Sequence, residues 1–249
     1  MDGIHDMGGT EGYGPVPYVA DEKVQVTSRW EAFSGAAMFA LLRSGKTNID
    51  AHRHRIERLD PTRYLPISYW GRWLAAIESA VTDQGIADRD EVDRAITALG
   101  HAPDEAAPPP RMHPVVALES RHNDPTFTRE LDRPRRFSVG DRVTTMADAP
   151  QAGHHRLPRY ARGRSGTVVR AYPAFTFPDA VAHNRGEQPT YVYAVGFSGR
   201  ELWGADGDPN QICHLDVFEP YLSPDSSPAP SPATSQTAST ETEIEESFR

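Results

Sequence analysis

Apolar residues recur at helical spacing through the first hundred positions, and the period changes to β-rich runs after Pro134. Ser28-Arg29-Trp30-Glu31 has the form of a capping box, in which a hydroxyl and a carboxylate satisfy the first free amides of a helix. Trp30, Phe33, Ala37 and Leu41 then repeat on one face, and Gly45 suits the stop. A second short helix is predicted from Ile49 to Leu59, halted by Asp60-Pro61. A third runs from Tyr69 to Thr82 with Ser68 as its cap, presenting Trp70, Trp73, Leu74, Ile77 and Val81. The fourth lies between Asp88 and Leu99, where Asp88 and Glu91 imitate the capping box. Pro103 and Pro108-Pro109-Pro110 mark a linker.

Phe137 to Val143 reads as a turn leading into a strand, followed by runs at Gly166–Val169, Tyr191–Val195 and Ile212–Phe218. Short strands at this spacing predict a small closed barrel. The first twenty residues carry five glycines and two prolines with aromatic and aliphatic residues between them, the pattern of an extended arm that needs a surface to cover it. From Ser223 onward the chain is Pro/Ser/Thr/Glu-rich with few apolar side chains, which predicts disorder. The expected organisation is α+β: an arm over 1–20, a helical domain over 21–110, a connecting segment over 111–133, a barrel over 134–222 and a tail over 223–249.

Composition sharpens this division. Hydrophobic residues are 38% of the 249, low for the length, as a chain with a non-folding portion requires. The tail carries one Asp, four Glu and one Arg, a charge of −4, which leaves −5 of the formal −9 on residues 1–222. An acidic chain is a poor polyphosphate clamp. A single cysteine, Cys213, excludes an internal disulfide framework and a Cys-based metal site made by this chain alone. No basic-then-apolar leader opens the sequence and no apolar run is long enough to cross a bilayer, so a cytoplasmic protein is expected.

Little in the sequence points to chemistry performed by this chain alone. His52 and His54 lie two apart on a helix and point in different directions, so they would not share an ion; adjacent His154 and His155 are no better placed. No nucleophile elbow, Walker loop or dinucleotide fingerprint appears. The densest positive cluster, Arg156, Arg159, Arg162 and Arg164 with Tyr160, has three readings: a solvated loop, a nucleic-acid contact, or guanidinium forks holding an oxyanion.

Several motifs in order resemble the β subunit of nitrile hydratase. They are Met1-Asp2-Gly3-Ile4-His5-Asp6-Met7-Gly8-Gly9-Thr10 with Gly12-Tyr13-Gly14-Pro15-Val16, and the Trp-Glu pair within Ser28–Glu31. Arg53-x-x-Ile56-Glu57 follows, with Tyr64-Leu65, Tyr69 and Trp73. In the second half Gly153-His154-His155-Arg156, Arg159-Tyr160-x-Arg162-Gly163, Gly166-Thr167-Val168, Glu201-Leu202-Trp203-Gly204 and Glu219-Pro220-Tyr221 complete the pattern over residues 1–222.

The resemblance implies a lyase that hydrates nitriles to amides, active only as a complex with an α subunit, as an αβ heterodimer or its α2β2 dimer. It implies cobalt(III) or iron(III) held by that α subunit through cysteines, two of them oxidised to sulfinate and sulfenate, and no metal ligand from this chain. By motif position Arg53 and Arg156 correspond to the arginines that hydrogen-bond those oxidised sulfurs, and the second half to an SH3-like barrel. Tyr69 and Trp73 match aromatics near the substrate channel, although four residues apart on one helix face is equally the spacing of core packing. Met38, Ile49 and His52 align with channel-lining positions, where His52 departs from an aromatic residue. Expected partners are therefore the α subunit and a small nitrile, with neither nucleic acid nor membrane. The alternatives are a thiocyanate hydrolase-like subunit, whose family splits the two halves into separate chains, and a nucleic-acid-binding barrel using Arg156 to Arg164.

Overall fold

The helices of the first half start at side chains that satisfy free backbone amides. In the computed structural model, which describes residues 3–15, 26, 28–99, 127–148 and 153–225, helix α1 spans Arg29–Arg43, and the Glu31 carboxylate accepts from the Ser28 amide at 3.0 Å. Asn48 caps α2 (Ile49–Glu57) by accepting from the Ala51 amide at 2.8 Å, and Ser68 caps α4 (Tyr69–Asp83) through the Gly71 amide at 3.1 Å. Asp88 and Glu91 close a reciprocal box at the start of α5 (Arg89–Leu99). Gly45 follows α1 at φ +69°, the left-handed conformation that ends a helix without a Cβ penalty. Asp60-Pro61, expected as a stop, also starts a short helix α3 (Pro61–Tyr64): Asp60 accepts from the Thr62 amide and proline takes the first position, where its missing N–H costs nothing. Helix α4 packs against both α1 and α2, burying Met38, Ala76, Ile77 and Ala80.

The second half is an antiparallel sheet of β1 (Thr128–Arg129), β2 (Arg142–Thr145), β3 (Ser165–Phe175), β4 (Thr190–Ser198), β5 (Ile212–Phe218) and β6 (Leu222–Pro224). Its order is β5-β4-β3-β2-β6, with β1 on the far end of β3. This corrects the predicted closed barrel: among the described residues β5 and β6 remain the two ends of an open path. Burial alternates along β3 through Val168 and breaks where the register with β4 shifts between Val168 and Arg170, as an extra residue in one strand requires. Glycine is required at 166, because a Cβ there would stand 2.6 Å from Val195 Cγ1. Short helices α6 (Pro178–Val181) and α7 (Gly199–Trp203) lie in the connections, and the core gathers Val143, Val168, Tyr193, Val195, Phe197 and Leu202.

Two boundaries move. Strand β1 falls within the expected connecting segment, and β6 includes Ser223 and Pro224, which were expected to be disordered; Asp225 then pairs with Arg142 at 2.8 Å. Most of the expected linker and the tail beyond Asp225 lie outside the described residues. The arm does meet a surface, and it is this chain's own: Asp6 accepts from the Arg159 amide at 2.8 Å, while Gly8 and Gly9 abut Tyr160 and Trp203. No helix among the described residues is long and apolar enough to cross a membrane.

Candidate active site

Helix α2 distributes its side chains between three environments. His52 is turned inward, 2% exposed, with its ring 5.1 Å from that of Trp73 and edge-on to it. Burial first, then the charges of Arg55 and Arg53, lowers its pKa to about 4, so the imidazole is neutral near pH 7. Trp73 also meets Tyr69 at 5.6 Å and Trp70 at 5.2 Å, and Tyr69 is 46% exposed. The result is one aromatic cluster running from a buried imidazole out to the surface. Three of the five channel residues selected from the sequence, His52, Tyr69 and Trp73, belong to it. Of the other two, Met38 is buried in the α1–α4 layer and Ile49 is half-buried at the start of α2.

Arg53 points the other way. Its NH1 donates to the buried Asp50 carboxylate at 3.0 Å, one turn back, while 47% of the side chain remains exposed. One arm of the fork is thereby fixed and the rest presented outward.

Glu57, on the next turn, faces inward. Its carboxylate lies 2.8 Å from His154 Nδ1 and 3.6 Å from His54 Nδ1. Burial alone would raise its pKa; the hydrogen bond from His154 and the close approach of the His54 imidazole outweigh that and hold it at about 2. This contact joins α2 to the segment containing Arg156. The same segment is held a second time: the Arg156 amide donates to the Tyr221 hydroxyl at 3.0 Å, and Tyr221 in turn donates to buried Asp179. The Arg156 side chain is exposed at a cleft of about 270 Å³ that is also lined by His5, Glu57, His155, Asp216 and Tyr221. The two arginines selected from the sequence therefore sit on segments bonded directly to one another.

Sequence reasoning correctly kept His52 and His54 apart but missed what His54 faces. Glu57 and His154 are 97 positions apart, a pairing that no local spacing encodes. The basic cluster does not form one stripe. Arg162 is largely buried beside Asp6 (3.7 Å) and His155, whereas Arg156 and Arg164 are exposed.

Two family descriptions match the chain: "Nitrile hydratase beta subunit, N-terminal" over residues 1–120 and "Nitrile hydratase beta subunit, C-terminal" over residues 126–224. The chain is 39% identical to the low-molecular-weight cobalt-containing nitrile hydratase subunit β of Rhodococcus rhodochrous, over 90% of this chain and all of that one. It is 35% identical to the cobalt-containing nitrile hydratase subunit β of Pseudonocardia thermophila, over 89% of this chain and 96% of that one. A shorter likeness, 29% identity over 40% of this chain and 79% of the other, is to thiocyanate hydrolase subunit α of Thiobacillus thioparus.

Proposed function

The chain belongs to the nitrile hydratase β-subunit family, and from that premise we propose how its residues serve the hydration of nitriles to amides within a complex with an α subunit. The observation that carries the reading is the pairing of Arg53 and Arg156 on two segments joined by the Glu57–His154 contact. The thiocyanate hydrolase likeness stops at 40% of the chain and does not displace it.

The metal belongs to the partner. This chain has one cysteine, Cys213, half-buried on β5, so it cannot build a thiolate claw. Its exposed guanidinium groups do fit such a centre from outside, since an oxidised thiolate is an oxyanion that a fork can bind in two-point fashion. Bound in the partner, cobalt(III) or iron(III) supplies Lewis acidity; the cobalt-containing relatives favour cobalt. Arg53, with one arm held by Asp50, and Arg156, with its backbone held by Tyr221, donate to oxygens of the oxidised ligands and fix their geometry. His52, Tyr69 and Trp73 receive the organic part of the nitrile, and Met38 and Ile49 are assigned to the same channel by their motif positions alone. The apolar rings exclude water from that part, and the neutral imidazole adds no charge to it.

Co-expression with the α subunit tests the division of labour. The expected product is a stoichiometric complex whose cobalt or iron follows the α subunit on separation and is absent from this chain expressed alone. Cobalt or iron retained by this chain, or failure of the two to associate, would contradict it.

A further inference from the structure

Four arginines gather beside the second half of β3, and each lies over an aromatic ring. Arg133 and Arg135 share Tyr191, with guanidinium carbons 5.2 and 4.7 Å from its centroid; Arg136 covers Phe137 at 5.2 Å and Arg170 covers Tyr172 at 5.8 Å. Arg135 also donates to the Tyr172 carbonyl at 3.0 Å, which joins the group into one surface. All four are exposed. Arg133 is paired with buried Glu219, but among the described residues no carboxylate forms an ion pair with the side chain of Arg135, Arg136 or Arg170. A guanidinium laid flat on a ring is held in orientation while its edge N–H groups stay free for a carboxylate. On a body whose net charge is −5 over residues 1–222, this much unanswered positive charge marks a place for an anionic segment.

From this geometry we propose that the patch binds the acidic part of this chain's own tail, the run Glu241-Thr242-Glu243-Ile244-Glu245-Glu246. Four glutamates within six positions match the four arginines in number and oppose them in sign. The chain also leaves the sheet close to the patch. The Asp225 amide donates to the Arg142 carbonyl at 3.1 Å, and its carboxylate pairs with the Arg142 fork at 2.8 Å. Arg142 faces Thr167 across the β2–β3 pairing, three positions, or about 10 Å along the strand, from Arg170. Glu241 lies sixteen positions beyond Asp225. A coil of that length has a root-mean-square span of about 20–24 Å, enough to bring the glutamates over the arginines. Val139 and Val169, exposed beside the hydrogen bond from the Gly140 amide to the Val168 carbonyl, add an apolar spot, and Ile244 gives the run a side chain to set against it. A tail too poor in apolar residues to build a core is thus held by charge. Its docking covers a basic and aromatic surface of the kind that also attracts nucleic acid, and keeps that surface closed to other polyanions.

The test uses the αβ complex carrying the full chain, with a fluorescein-labelled peptide of residues 236–249 as the probe and anisotropy as the readout. It compares wild type with a variant in which Glu241, Glu243, Glu245 and Glu246 are each replaced by Gln. The Gln variant should bind the peptide, and more weakly as salt rises. The wild-type complex should bind it at least about tenfold more weakly still, since a tethered segment competes at an effective concentration on the order of millimolar. Adding Arg135→Gln and Arg170→Gln to the Gln variant should weaken binding about tenfold, as the loss of two guanidinium–carboxylate pairs implies. Equal binding by wild type and the Gln variant, no binding by the Gln variant, or binding indifferent to Arg135 and Arg170 would each overturn the proposal. A labelled oligouridylate tests the competing class of ligand. If it binds wild type as tightly as the Gln variant, the patch belongs to nucleic acid and the tail does not occupy it. The comparison of wild type with the Gln variant alters only the tail, so it decides even where the arginine variant fails to fold. Amide formation is no part of the readout, so this proposal and the reading of the chain as a nitrile hydratase subunit fail separately.

Discussion

Arg53→Lys in the assembled enzyme is expected to lower the rate of nitrile hydration about 10–100-fold while leaving complex formation and cobalt or iron content intact. Lysine keeps the charge and loses the planar fork. In the structure one arm of that fork is spent on Asp50 at 3.0 Å, so only a guanidinium can hold its anchor and still present donors outward. A lysine has a single nitrogen and must choose. Steady-state kinetics beside metal analysis checks the prediction: wild-type rates with intact metal would remove Arg53 from the account. Arg156→Lys should behave alike, and the double variant should cost less than the two losses multiplied if, as proposed, both residues serve one group of oxygens.

The second large effect concerns stability. Glu219 is 2% exposed, accepting from the Tyr193 hydroxyl at 2.6 Å and the Arg136 amide at 3.2 Å, and pairing with Arg133. Glu219→Ala leaves the fully buried Tyr193 hydroxyl and the Arg136 amide without an acceptor, and each such orphan costs about 1–3 kcal/mol. The Arg133 side chain is 45% exposed and contributes little by comparison. We expect a loss of about 3 kcal/mol or more in denaturant unfolding, with Tyr193→Phe recovering part of it in the double variant. Burial pushes the Glu219 pKa up, but hydrogen bonds from Tyr193, the Arg136 amide and Arg133 bring it below the ordinary carboxylate value of 4.5. A carboxylate depressed in the folded state stabilises above its unfolded pKa, and that share is lost as the pH falls below 4.5. Unfolding curves of wild type and Glu219→Ala should therefore converge on acidification; a constant gap would contradict the assignment.

The same three-residue motif thus does two jobs. Glu219 ties the sheet to the segment around Arg136, and Tyr221, two positions on, holds the Arg156 backbone. The sequence announced the motif without its wiring, because its partners lie 65 and 83 positions away. Local chemistry was legible: Ser28, Ser68 and Asp88 each stand where a helix begins, and the β-rich runs became strands, whereas the Asn48 cap of α2 went unread. Misreadings came where one residue type serves two ends. Asp60-Pro61 stops one helix and starts another, and the Ser223-Pro224 start of a low-complexity stretch still pairs with β2. Closure of a barrel depends on how the outermost strands meet, which strand spacing does not encode. His54, Glu57 and His154 were visible only as separate letters, and packing α2 against the His154 segment made them a cluster.

The central claim is that this chain supplies half of a nitrile-hydrating site whose metal lies in its partner. Its most direct test is the initial rate of amide formation from a small nitrile, measured for the metal-loaded α subunit alone, for this chain alone, and for the two combined. The account predicts turnover only in the combined sample, with a stoichiometric end point at one chain of each kind. Full activity from the α subunit alone, or none from a metal-loaded complex, would contradict it.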